Sequence, residues 1–165
     1  MKHHLFNRHL AQTLSNWMKF FLKYWLPVLI WMLLIFIGST DLMSAEQTSR
    51  IIGPFLRWIK PDISAQAIAQ VQLIVRKSAH VTEYAILAAL LWRALRLGTM
   101  WRLKMSISFV LVSVSCALFA VSDEFHQSFV PSRTASTVDA IIDICGALLG
   151  LGICSVFARR REDWA

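Results

Sequence analysis

Ten consecutive residues, Val28 to Ile37, carry neither a charge nor a side-chain amide, and comparable apolar stretches run from about Met105 to Val121 and from about Val138 to Phe157. Stretches of about 17 to 20 residues, which the first becomes when extended to about 22–38, match the hydrocarbon thickness of a bilayer. The rest of the chain offers too little polar surface to hide them in a soluble core. The sequence is 56% hydrophobic and 16% charged over 165 residues, with a mean hydropathy of +0.54. A soluble domain has roughly 45–50% apolar and about 25% charged residues. These features predict an all-α, polytopic membrane bundle with about four transmembrane helices plus interfacial helices. That architecture uses up most of the chain and leaves no room for a separate soluble domain.

The first span is predicted at about 22–38, with Lys23 near its end able to snorkel and Pro27 in the opening turns. Residues 1–21 form an N-terminal segment in which Leu10, Leu14, Trp17, Met18 and Phe21 recur every three or four positions, the pattern of an amphipathic surface helix. The stretch is too polar for a signal peptide and has no cleavage-site pattern. From Thr40 to Lys77, Gly53-Pro54 and Lys60-Pro61-Asp62 read as breakers between two short interfacial helices, one carrying Ile51, Ile52, Phe55, Trp58 and Ile59. Further spans are predicted at about 78–95, 105–121 and 138–157, followed by a basic tail at 158–165. With the N-terminus inside, cytoplasmic segments hold eleven Lys and Arg and external segments six, so both termini are predicted to be cytoplasmic.

A net charge of +7 suits anionic lipid headgroups better than nucleic acid, because the basic residues cluster beside apolar runs. Other membrane proteins are possible partners. Cys116, Cys145 and Cys154 lie inside apolar runs without Cys-x-x-Cys spacing and read as packing residues.

Eight of the ten acidic residues fall on the predicted outer side. Lys77, His80 and Tyr84 are three and four residues apart and share a helical face, with Glu83 on a neighbouring face. Asp139 and Asp143 share a face of the last span. A carboxylate in hydrocarbon costs roughly 2.5–3.5 kcal/mol even on the mild insertion scale, so that face must point inward or be protonated. Gly146 and Gly150 continue it as a smooth strip that admits another helix closely. Asp123, Glu124 and Gln127 end the third span, and Arg133 follows Pro131-Ser132 in the turn, able to grip a carboxylate or phosphate bidentately. His80, His126, Asp123 and Glu124 come from separate helices without metal-ligand spacing, so neither a metal nor another cofactor is expected.

These residues resemble the VanZ-like family of membrane proteins, named for a member linked to resistance to the glycopeptide teicoplanin. The similarity spans roughly 76–152. One half is a Lys-x-x-His-x-x-x-Tyr pattern, here Lys77, His80 and Tyr84. The other comprises Asp123, Glu124, Gln127, Phe129, Pro131, Arg133, Asp139, Gly146 and Gly150. Arg76 stands where the family often has Asp, and Asp143 where it often has Asn. The resemblance implies a bacterial cell-envelope protein and supplies no mechanism.

Three functions fit. In the leading one, Arg133 and Lys77 bind an anionic lipid-linked or cell-wall-related ligand, while Gln127 and Tyr84 hydrogen-bond it and Asp139 and Asp143 complete the site. In the second, His80, Asp123 and Glu124 perform acid–base chemistry on a lipid headgroup. In the third, the polar groups only lock the bundle, with His80 held by Asp139 or Asp123 and Arg133 by Asp123 and Glu124. Lys77-Ser78-Ala79-His80 and Ser132-Arg133 also faintly resemble lipid phosphatases, but the nucleophilic His of that superfamily is missing between Arg133 and Asp139.

Overall fold

The computed structural model describes residues 2–41, 45–99, 103–131, 133 and 136–162, with side chains for 12–41, 47–99, 103–131, 133 and 136–160. The side chains of Leu10 and Ser132, both used in the sequence reading, and of residues 161–165 of the basic tail lie outside this set. Six helices follow one another: α1 (Lys2–Tyr24), α2 (Leu26–Gly38), α3 (Ala45–Ile59), α4 (Ala65–Leu97), α5 (Met105–Gln127) and α6 (Thr137–Glu162).

Three segments are long and apolar enough to cross a membrane: Gln12–Gly38, Met105–Gln127 and Thr137–Arg160. Leu33 and Leu34 of α2, Val114 and Leu118 of α5, and Leu149 and Ile153 of α6 are exposed, while Asp123, Glu124, Asp139 and Asp143 are buried. An apolar exterior around an acidic interior inverts the arrangement of a soluble protein and suits hydrocarbon as the solvent.

The first apolar segment includes the end of α1, so it starts earlier than residue 22. Trp25 joins the two helices. The backbone ladder survives the joint, with Trp25 N–H donating to Phe21 O at 2.9 Å and Leu29 N–H to Trp25 O at 3.1 Å. Pro27 has no N–H to offer the carbonyl of Lys23. The Arg93 guanidinium donates to that carbonyl instead, at 3.3 Å. Indole N–H groups then fasten α2 against α4, Trp25 to Gly98 O at 3.0 Å and Trp31 to Glu83 O at 2.9 Å.

Two expectations for residues 40–77 need correction. The helix α3 runs through Gly53-Pro54 rather than breaking there. Proline removes one ladder bond but its fixed φ is helical, and a surface helix can leave the freed carbonyl to polar surroundings. The second short helix is not separate: it is the first part of α4. The break at Lys60-Pro61-Asp62 does occur, and Ser64 restarts the helix by accepting a hydrogen bond from Ala67 N–H at 3.2 Å. Thirty-three residues at 1.5 Å each make α4 roughly 50 Å long, well beyond one bilayer crossing of about 30 Å.

The core follows from period. On α4, His80, Tyr84, Leu87, Ala88 and Trp92 are buried; on α5, Ser108, Val112, Cys116, Ala120 and Asp123 recur every three or four residues. The faces of α4 and α6 meet most closely at Gly146 and Gly150, where an added Cβ would lie 2.5 Å from Val81 O and 2.4 Å from Ala85 O. The glycine strip therefore receives α4.

Candidate functional site

The polar residues collect where α2 and α5 end and α6 begins. Along the α4–α6 seam, two acids one turn apart each meet a basic group. Asp139 is ion-paired with Lys77, and Arg76 NH2 stands 3.9 Å from its other oxygen. Asp143, fully buried, lies 2.9 Å from Nδ1 of His80. The sequence expectation of Asp139 or Asp123 as the partner of His80 is thus replaced by Asp143. The seven-residue offset between Arg76 and Glu83, and the three between His80 and Glu83, keep these side chains near one face of α4.

A second group ties α2 to α5. Ser39 donates its hydroxyl to Asp123 Oδ2 at 2.6 Å, and Gln127 Nε2 donates to the same oxygen at 3.0 Å and to Ser39 Oγ at 3.3 Å. Glu124 turns the other way: its Oε2 accepts from Ser136 N–H at 2.8 Å, fixing the entry to α6. The Ser136 hydroxyl in turn accepts from Val138 N–H at 3.2 Å.

The expected Arg133 ion pair with Asp123 and Glu124 does not form. Its guanidinium donates instead to Thr40 O, from Nε at 3.2 Å and NH2 at 3.1 Å, and to Gly38 O. These carbonyls lie at and just past the end of α2 and have no helical partner among the described residues, so a cation there meets both the orphaned acceptors and the negative end of the helix dipole. Partial burial, then the neighbouring Arg76 charge, pull the Arg133 guanidinium below its ordinary pKa range. Arginine still stays charged at any physiological pH.

A cavity of about 140 Å³ opens between these groups, lined by residues that include Ser39, Arg76, His80, Glu83, Gln127 and Arg133, with Thr48 and Ile52 of α3 on one side. Lys77, Tyr84, Asp123, Glu124, Asp139 and Asp143 are not among its lining residues. Asp143 backs His80, Asp139 neighbours Arg76, and Asp123 holds Ser39 and Gln127. The candidate residues thus divide into a lining set and a supporting set. Among the described residues no three His, Cys, Asp or Glu side chains converge as metal ligands.

Tyr84 is fully buried, its ring centroid 6.1 Å from that of Phe119, and among the described residues its hydroxyl has no hydrogen-bond partner. An unsatisfied buried hydroxyl contributes nothing that a Phe would lose. Tyr84→Phe is expected to melt within about 0.5 kcal/mol of the parent, or slightly higher, in detergent. A clear drop in melting temperature would show that the hydroxyl has a partner.

Sequence reasoning missed Gly38, Ser39 and Thr40 at the end of α2, and placed Glu83 away from the site. The helical register of Glu83 with Arg76 was a signal that could have found it. Nothing local marked residues 38–40, because their role depends on where Arg133 and Asp123 arrive.

The fold and the site define an all-helical membrane protein with a buried polar cluster at one end of its bundle. The chain belongs to the VanZ/LLP1 family, whose sequence profile matches residues 24–158. No curated protein and no solved structure matches it significantly.

Proposed function

We propose that this chain is a VanZ-like protein of the bacterial cytoplasmic membrane that recognises an anionic lipid-linked or cell-wall-related ligand at the outer surface. In this reading the chain crosses four times, through α1–α2, α4, α5 and α6. Both termini are cytoplasmic and the cavity faces outward. α4 counts as a span because Lys77 and His80 pair with α6 and Glu83 faces the cavity rather than lipid, which removes much of the insertion penalty. A link to glycopeptide resistance would follow from binding an envelope component.

The observation that carries the proposal is a pair of guanidinium groups, Arg76 and Arg133, on one small cavity. They are close enough to act on one another electrostatically. Nε of Arg76 is buried and has no hydrogen-bond partner among the described residues. Two like charges sharing a cavity repel, and an anion held between them relieves the repulsion while using the free donors. Asp123 and Glu124 each commit one oxygen to a structural hydrogen bond and neither lines the cavity, which favours binding over acid–base catalysis.

The test compares Arg76→Gln with the parent by native mass spectrometry after titrating phosphatidylglycerol into delipidated protein. Loss of one charge-assisted contact is expected to weaken binding about tenfold. Arg133→Ala should weaken it similarly and also lower the melting temperature, since it uncaps α2. Unchanged phosphatidylglycerol binding in both variants would remove the proposal.

A further inference from the structure

The cavity wall is not uniformly cationic. Glu83 lines it beside His80, and among the described residues its carboxylate has no hydrogen-bond or ion-pair partner. It lies seven residues after Arg76 on α4, which separates their Cα atoms by roughly 10.5 Å along one face. Helical side chains lean toward the N-terminus, so the Glu83 carboxylate reaches back toward His80 and the end of the cavity held by Arg76 and Arg133. A free carboxylate beside two guanidinium groups would ordinarily close onto one of them. Here the guanidinium of Arg133 is held on Gly38 O and Thr40 O, while Arg76 leans on Asp139. The remaining potential ligand, His80, is taken at Nδ1 by Asp143. Anion-binding and cation-binding groups thus line one cavity of about 140 Å³ without pairing with each other.

We propose, resting on the ligand-binding reading above, that the ligand is a phosphate ester bearing a primary amine. The phosphate is held at the Arg76 and Arg133 end and the ammonium is inserted toward Glu83. A purely anionic ligand would set its charge against an unpaired carboxylate. An ammonium group converts that repulsion into a charge-assisted hydrogen bond in a site of low dielectric. Such a ligand could be the headgroup of an amine-bearing phospholipid or a free aminoalkyl phosphate. α3 contributes Thr48 and Ile52 to the cavity and exposes Ile51, Phe55 and Trp58 on its other side, a face suited to the acyl boundary from which a lipid headgroup would come.

The experiment measures binding of phosphatidylethanolamine and phosphatidylglycerol in nanodiscs, and of soluble O-phosphoethanolamine and glycerol 3-phosphate. Each is tested on the full-length parent, Glu83→Gln and Glu83→Asp. The parent is expected to prefer the amine-bearing member of a pair by about tenfold, and Glu83→Gln to bring that ratio to about one. Glu83→Asp, which keeps the charge, should restore much of it and shows that a lost preference is not misfolding. Preference seen only with the lipid pair assigns the ligand to the membrane; preference in both pairs assigns it to the aminoalkyl phosphate itself. Equal binding of both members by the parent, or a preference that survives in Glu83→Gln, overturns the inference and leaves the anion site standing. Absence of binding to all four probes would remove both.

Discussion

Gly150→Leu is expected to lower the stability of the bundle by about 3 kcal/mol or more, the upper range for overpacking a contact that cannot relax. The new Cβ would stand 2.4 Å from Ala85 O and 2.8 Å from Ala85 Cα. Both are backbone atoms of a continuous helix, so no rotamer change can make room. The helices must separate, and the separation reaches Lys77–Asp139 and His80–Asp143 further along the same seam. Gly152→Leu is the control: nothing lies within 4 Å of an added Cβ there, and the position is exposed. Its effect should stay within about 0.5 kcal/mol. For a chain of this size, the difference corresponds to a melting temperature lower by roughly 10 °C for Gly150→Leu. Equal melting of the two variants in the same detergent would mean that α4 and α6 do not meet through the glycine strip.

The second large effect is expected at Asp143. Removing one partner of a buried pair leaves the other desolvated and unpaired, which costs about 3 kcal/mol or more. Asp143→Ala would strand Nδ1 of His80, which is 8% exposed, beside a new cavity at a position with no solvent access. Asp143→Asn keeps an oxygen acceptor at the same place and is expected to recover most of the loss. Purified variants compared by thermal melting check this ordering. An alanine variant that melts with the parent would show that the pair adds no net stability, as happens when desolvation cancels attraction.

These two predictions draw on different kinds of information. The inward direction of Asp139 and Asp143 was legible in the sequence: they are four residues apart, and a carboxylate facing hydrocarbon is too costly. The closeness of whatever helix faced Gly146 and Gly150 was legible for a similar reason, since two missing side chains one turn apart leave a groove. The family pattern around Lys77, His80, Asp123 and Arg133 also marked the end of the bundle where the polar residues gather. In each case the information is carried by spacing along one helix and by the chemistry of one residue type.

Pairing between helices was not legible in that way. Whether His80 meets Asp139, Asp143 or Asp123 depends on the rotation and axial shift of α6 against α4. The contacts at Val81 and Ala85 set both. Arg133 was read as a partner for acids because charges inside a membrane are commonly paired, yet the chain returns it to the carbonyls of Gly38 and Thr40, more than ninety residues earlier. Glu124 likewise serves the backbone of Ser136 rather than a cation. The continuity of α3 through Pro54 and the extension of α4 back to Ala65 escaped a reading based on breakers, since helix-breaking propensity is a local preference that packing and capping outweigh.

By itself, the sequence determined that the chain belongs in a membrane, that it is helical, and which face of each helix is polar, because hydrophobic length and the 3.6-residue period are properties of single segments. The tertiary structure alone decided which donor meets which acceptor. It also turned Asp123 and Glu124 into supports and left Glu83 facing a cavity with Arg76 and Arg133. Those outcomes depend on the register between helices, which close packing at two glycines fixes and no single segment encodes.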